Sequence, residues 1–210
     1  MRAQLLLLAF AACATAHADD DSAPTARQHA SSIEGSYQFQ RDRQNHVNAS
    51  GFGADISQDL FPHIFVDAFY SQVRTQPFSQ TFGQSQVMGR ERYDTAAFSL
   101  GGYVGGEKAA LTATAGAQLF GTKGLEGFAD QEQQHWRGGF TGSLTGSYMV
   151  LPHVDAMIGG GYSVVGLNRG TEGFAGLSFD LLKHLAIDTS YWVARDAQGL
   201  SAGLRLKFGN

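Results

Sequence analysis

The sequence is poor in cysteine, proline and charge, and it has no long apolar run. Its 210 residues include one cysteine, Cys13, and four prolines. A single cysteine excludes a framework of internal disulfides. Charged residues make up 16% of the chain, the formal net charge is −4, and no basic cluster occurs, which argues against nucleic acid as a partner. No apolar stretch reaches the ~20 residues that a transmembrane helix needs.

The first 18 residues have the pattern of a secretory signal. Arg2 gives a positive start, residues 5–12 are apolar, and Ala16 and Ala18 occupy the small-residue positions that signal peptidase requires. We therefore expect export, with a mature chain that begins at Asp19.

A lipoprotein signal that ends at Cys13 is the alternative, although Phe10 stands where leucine is usual. Residues 19–32 have no periodicity and are expected to form a flexible periplasmic lead-in to a barrel over 33–210.

From Ile33 onward, apolar and polar residues alternate. Ile33, Tyr37 and Phe39 share one parity, and in 109–120 leucine and alanine alternate with threonine, glycine and glutamine. A period of two predicts strands with one apolar and one polar face. The expected strands are 33–41, 47–59, 64–75, 93–105, 109–122, 138–151, 154–167, 171–182, 185–195 and 199–208.

The joins between these strands alternate in length. Those near Pro62, Lys108, Pro152 and Lys183 are tight, whereas the joins between them include the long segments 76–92 and 123–137. Short periplasmic turns with longer outer loops are typical of outer-membrane barrels, and an even strand number places both termini on the periplasmic side. The fold class expected is an all-β transmembrane antiparallel up-and-down barrel of about ten strands, eight being possible. A soluble β-sandwich is the alternative that composition alone allows.

A repeat of the form D-L-x-x-H-x-x-[VI]-D-x-x-Y supports this register. It occurs from Asp59 to Tyr70 and from Asp180 to Tyr191, each time across a strand end, a tight turn and the next strand. The shared turn chemistry indicates recurring hairpins.

The final strand carries the most specific local signal. Residues 201–208 (SAGLRLKF) follow the order polar, x, glycine, x, x, apolar, x, aromatic. At this point the chain resembles the small outer-membrane β-barrel superfamily, the OmpA/OmpX-like group. The resemblance implies that the barrel-assembly machinery reads Gly203, Leu206 and Phe208. The chain departs from the pattern by continuing to Asn210, since the aromatic residue is usually last.

Parity sorts the side chains between lipid and lumen. We expect outward aromatic residues near the two membrane interfaces. Towards the loops these are Phe52, Tyr70, Phe140, Tyr162 and Tyr191, and towards the turns they are Tyr148, Phe179 and Phe208. The opposite face is expected to carry a network of lumen charges, either an electrostatic plug or an ion path. Its members are Glu34, Asp55, Asp67, Asp155, Asp180, Asp188, Arg205 and Lys207.

The two long loops hold aromatic residues among polar ones. Phe78 and Phe82 lie in 76–92, and Phe128 and Trp136 lie in 123–137. Exposed rings beside adaptable polar groups are typical of contact surfaces. The alternative is that these rings fold back onto the barrel rim or lie among lipid headgroups.

The histidines show neither catalytic nor metal-ligand spacing. His63, His153 and His184 fall in the predicted turns, and His46 and His135 fall in outer loops. We therefore expect no enzyme activity and no cofactor. The function favoured is a structural or surface-interaction role through the outer loops, with a narrow porin-like channel as the alternative and a rim enzyme as a lesser one. The expected partners are outer-membrane lipid and lipopolysaccharide, together with the assembly machinery during biogenesis.

Overall fold

The computed structural model describes residues 31–43, 46–82, 85–106, 108–123, 134–166 and 168–208. The predicted cleavage residues Ala16, Ala18 and Asp19 lie outside this part of the chain, as does Phe128. Among the described residues, no helix is long and apolar enough to cross a bilayer.

Twelve strands make up the described structure, and ten of them close into one antiparallel barrel. The order around the barrel is β1-β12-β11-β10-β9-β8-β7-β6-β3-β2, and β4 pairs with β5 in a separate two-stranded sheet. The strands are β1 (Ser31–Asp42), β2 (Asn48–Phe61), β3 (Ile64–Thr75), β4 (Phe78–Phe82), β5 (Ser85–Gly89), β6 (Arg92–Gly105), β7 (Ala109–Lys123), β8 (Gln134–Leu151), β9 (Val154–Val165), β10 (Asn168–Leu182), β11 (Leu185–Ala194) and β12 (Ala197–Phe208).

The prediction of ten barrel strands is confirmed, and the structure corrects three details. Residues 76–92, expected as a loop, contain the hairpin of β4 and β5. Strand β8 begins at Gln134, so Trp136 belongs to the barrel wall and not to a loop. Strand β1 begins at Ser31, two residues inside the expected lead-in.

The barrel closes between its first and last strands. Strand β1 pairs with β12 over its whole length, from Ser31 opposite Phe208 to Asp42 opposite Ala197. In hydrocarbon no water can satisfy an open strand edge, so closure removes unpaired backbone groups that each cost several kcal/mol. The terminal strand predicted to direct assembly is therefore also the strand that seals the sheet.

The wall separates an apolar outer face from a polar inner face. Phe52 and Phe140 are 70% and 75% exposed, and Tyr148 is exposed nearer the turns. Their outward positions agree with the predicted aromatic parity. Serines of the opposite parity, such as Ser57 and Ser178, are buried inside the barrel. The period of two thus determines which residues reach the lumen.

Histidine turns hold neighbouring hairpins together at one end of the barrel. His63 and His153 have φ of 67° and 71°, a left-handed conformation that is unusual for a residue with a Cβ. The carbonyl of His63 accepts from the Tyr103 amide at 3.0 Å, and that of His153 accepts from the Asp180 amide at 2.9 Å. Each turn is thereby joined to the next strand of the wall. A register shift precedes both turns, and a third shift precedes the turn at His184. The two copies of the sequence repeat contain the turns at His63 and His184, which share the preceding register shift and the carbonyl bond to the next strand, since the His184 carbonyl accepts from the Lys207 amide at 3.0 Å.

Candidate functional site

The turn-end half of the lumen contains the eight charged residues predicted to form a network. All eight have the inward parity of buried serines: Asp67 lies opposite Ser57, Asp155 lies opposite Ser178, and Lys207 lies opposite Ser32. Glu34 lies directly opposite both Asp55 and Arg205.

Arg205 is the centre of this network. Its Nη2 donates to Asp188 Oδ1 at 2.6 Å and to Ser178 Oγ at 2.8 Å, which ties β12 to β11 and β10. Lys207 forms an ion pair with Asp180 on the same side of the lumen. These bonds run between strands across the inner wall. They place two partly buried cations among the carboxylates.

Gly203 makes room for this network. A Cβ at that position would lie 2.5 Å from the Glu34 carboxylate. The glycine, predicted from the family resemblance as part of an assembly signal, therefore also has a packing role. Leu206 lies on the outer wall with 56% of its surface exposed, and Phe208 pairs with Ser31 at the end of the closing seam.

Aromatic rings fill further parts of the lumen, and each faces a glycine. Phe65 lies directly opposite Gly101 and is 2% exposed, and a Cβ on that glycine would come within 2.2 Å of the ring. The other two pairs have the same arrangement, with Phe174 opposite Gly159 and Trp192 opposite Gly199. These pairs cannot be predicted from the sequence alone, because each depends on which strands are neighbours. Together with the charges, these rings occupy part of the barrel interior.

The loop end of the lumen contains a vestibule with a volume of about 620 Å³. Its lining combines carboxylates with aromatic rings. The residues are Gln40, Asp42, Val47, Ala49, Thr75, Phe78, Glu91, Tyr93, Phe120, Asp196 and Ala197.

One side of the vestibule is well ordered by its own contacts. Tyr93 stacks on Phe120 with the ring centroids 6.1 Å apart, and its hydroxyl donates to the Glu91 carboxylate. The Glu91 backbone is held by β3, since its amide donates to Thr75 Oγ1 at 2.8 Å and its carbonyl accepts from the Thr75 amide at 2.9 Å. A carboxylate and two rings are thus fixed at the mouth of the barrel.

The predicted loop contacts have separate positions. Phe78 lines the vestibule at the start of β4, and Phe82 ends that strand. Trp136 is 47% exposed on the wall. Phe78 and Trp136 thus lie on different parts of the barrel, and Phe128 lies outside the described residues. The site that the structure assembles is the vestibule, and Phe78 is the member of its lining that was predicted from the sequence.

No family model and no curated protein matches the chain. Solved structures of outer-membrane-type β-barrels are similar to it. The β domain of the Bordetella autotransporter BrkA aligns with a TM-score of 0.52 and 13% identity, over 85% of this chain and 99% of that one. The KdgM porin in complex with disordered oligogalacturonate aligns at 0.51 and 11%, over 85% and 99%. The translocator domain of the autotransporter NalP from Neisseria meningitidis aligns at 0.51 and 10%, over 99% and 95%. At these identities the likeness establishes the barrel fold alone.

Proposed function

We propose that this protein is a bacterial outer-membrane barrel that acts at the cell surface through its loop end, with a lumen that does not conduct. The observation that carries this proposal is the contrast along the lumen. Arg205 is bonded to Asp188 and Ser178 in the turn-end half, whereas an open vestibule faces the loops. A filled lumen leaves the loop end as the part of the barrel that can meet a soluble partner.

The outer-membrane location is supported by three features. The wall presents apolar side chains outward around a closed sheet, the first 18 residues have the pattern of an export signal, and the last strand matches the terminal pattern of the OmpA/OmpX-like group. Membership of that particular group is part of the proposal. The proposed role is binding, because the described lining of the mouth combines carboxylates with aromatic rings.

The vestibule favours small ligands that combine positive charge with an apolar part. Glu91 brings a carboxylate to a stacked pair of rings, Tyr93 and Phe120. Aromatic faces attract cations, and a carboxylate beside them adds to the attraction. A volume of about 620 Å³ is within the range of small-molecule sites.

Conductance separates this proposal from the channel alternative. Purified, folded protein inserted in planar lipid bilayers in KCl should give no steady unitary current. Folding of the same sample is checked by the shift in gel migration between unheated and boiled protein. Steady single-channel currents from folded protein would support the porin-like alternative instead.

Cysteine labelling tests the orientation. Pro77→Cys at the loop end should react with a membrane-impermeant maleimide on intact cells, whereas Lys183→Cys in a turn should react only after the outer membrane is opened. Both positions are exposed, so they are matched in accessibility within the fold. If only Lys183→Cys is labelled on intact cells, the turn end faces the cell exterior. That result would contradict a surface role for the vestibule.

A further inference from the structure

A row of three cationic residues crosses neighbouring strands at the loop end of the barrel. Arg74 on β3 lies directly opposite Arg92 on β6, and Arg92 lies directly opposite Lys123 on β7. Side chains at opposite positions share a face, with Cβ atoms ~4.5–5.5 Å apart. Like charges placed directly opposite one another are destabilising. Because the three cations are neighbours on one face, a single anionic group can contact all of them.

The row lies on the outer wall of the barrel. Val73 and Thr75, which flank Arg74, are buried inside. Tyr70 has the parity of Arg74 and is 43% exposed, and Leu119 has the parity of Lys123 and is 50% exposed. The three cations thus project away from the lumen, beyond the apolar band.

A buried acid fixes the middle cation. Asp94 is fully buried although its parity is outward, because three side chains cover it. Arg92 Nε donates to its Oδ2 at 2.9 Å and Nη2 donates to its Oδ1 at 3.0 Å. Tyr70 and Gln72 also donate to Oδ1, at 2.9 and 3.1 Å. Arg92 is held in place by this cluster.

Below the row the wall becomes aromatic and then apolar. Trp136 on β8 is the register partner of Gly121, which itself lies opposite Asp94. Further towards the membrane centre, Phe98 and Phe140 are exposed outward. Aromatic residues with a polar tip favour the headgroup level, and apolar side chains favour the acyl chains. The sequence of cation, aromatic residue and apolar side chain matches a lipid with a phosphorylated headgroup.

We propose that Arg74, Arg92 and Lys123 form a binding site on the outer wall for the phosphate groups of lipopolysaccharide. Strands lie ~4.8 Å apart, so the row spans roughly 10 Å across three strands. That span suits a lipid that presents more than one phosphate. Arginine binds phosphate through paired N–H donors, and lysine adds a further charge. The loop end is the outer-leaflet end in the orientation proposed above, which is where lipopolysaccharide resides.

The wall offers a matched control for this site. Arg41 on β1 is also a cation of outward parity near the loop end, but its register partners are Gln198 and Asn48, which carry no charge. It therefore lacks the neighbouring cations that define the row.

The test is a binding titration of folded full-length protein in neutral detergent with diphosphoryl lipid A. The double variant Arg74→Gln/Lys123→Gln leaves the Arg92–Asp94 pair intact, so the barrel is expected to fold, and the gel shift on boiling checks this. Its Kd should rise at least about tenfold, since a charge-assisted hydrogen bond contributes about 1.5–3 kcal/mol. Arg41→Gln should change the Kd by no more than about twofold, as exposed isolated charges contribute little.

Two further lipids decide the chemistry. Monophosphoryl lipid A should bind the wild-type protein more weakly than the diphosphoryl form, and that difference should shrink in the double variant. Phosphatidylglycerol should also bind more weakly. Unchanged diphosphoryl lipid A binding by the double variant, or equal affinity for phosphatidylglycerol, would overturn the proposal. An equal loss of binding in Arg41→Gln and in the double variant would also overturn the proposal, because binding would then depend on net charge and not on the three-residue row.

Discussion

At the turn end of the barrel, the lumen holds Arg205 bonded to Asp188 and Ser178, and the Phe65 ring lies against Gly101. At the loop end, the same ten strands surround a vestibule of about 620 Å³. The backbone pairing is continuous along both halves, so the difference comes from the side chains that point inward. The fold fixes which residues face the lumen, and the identity of those residues decides whether that part of the lumen is filled or open.

The difference has an energetic meaning. Side chains of the filled half bridge strands that are not neighbours in the chain, as Arg205 on β12 does with Ser178 on β10. In the vestibule the side-chain contacts described above join strands that are adjacent in the wall, and one of its carboxylates is bonded to a tyrosine two residues away. We therefore expect stability to depend on the turn-end half and ligand contact to depend on the loop end.

The largest effect is expected from Arg205→Leu. Removing this cation leaves Glu34 near the buried carboxylate of Asp188, which is 7% exposed. Breaking a buried ion pair costs about 3–5 kcal/mol, and less where water reaches it. The free energy of unfolding, measured by urea titration in lipid vesicles, should fall clearly.

Arg195→Leu is the matched control, because the Arg195 side chain is 91% exposed and its Nε lies 4.0 Å from the Asp196 carboxylate. It should leave the free energy of unfolding nearly unchanged. Adding Asp188→Asn to Arg205→Leu should recover part of the loss. Equal stability of the two single variants would mean that the two halves do not differ as described.

A smaller loss is expected from Gly101→Ala. The added methyl group would overlap the Phe65 ring, and overpacking costs typically about 1–3 kcal/mol. Gly35→Ala is the control, since nothing lies within 4 Å of a Cβ built at Gly35. The same urea titration should separate the two variants. Adding Phe65→Leu to Gly101→Ala should recover part of the lost free energy of unfolding. If it does not, overlap with the Phe65 ring is not the cause of the loss.

The strands and the inward parity could be predicted from the sequence because both follow from a period of two. Residues 109–120 alternate so regularly that only one register buries the polar face in the lumen. The eight lumen charges could be assigned to the inner wall by the same reasoning. Their partners could not, since the bond from Arg205 on β12 to Ser178 on β10 reaches across the intervening strand β11.

Two features lay beyond sequence reasoning for different reasons. The β4–β5 hairpin was missed because residues 78–89 are rich in serine and glutamine and alternate only weakly. The vestibule was missed because it joins Gln40, Tyr93 and Asp196 from three distant parts of the chain. Long-range register, and not local pattern, brings such residues together. The Arg74–Arg92–Lys123 row has the same origin.

The smallest effect on stability is expected in the vestibule, from Tyr93→Phe. This change removes the hydrogen bond to Glu91 and keeps the ring stacked on Phe120. One such bond contributes about 0.5–1.5 kcal/mol, and water at the mouth can replace part of it, so the loss in urea titration should lie at the low end of that range.

Binding should respond differently, because in Tyr93→Phe the Glu91 carboxylate has no tyrosine donor and its charge is more available to a cation. Binding of benzyltrimethylammonium is measured by isothermal titration calorimetry. Relative to the wild-type protein, Tyr93→Phe should bind this cation equally or more tightly, and Glu91→Gln should bind it more weakly. If instead Tyr93→Phe destabilises the barrel as much as Gly101→Ala, the vestibule is part of the structural core, and the contrast between the two halves of the lumen is wrong.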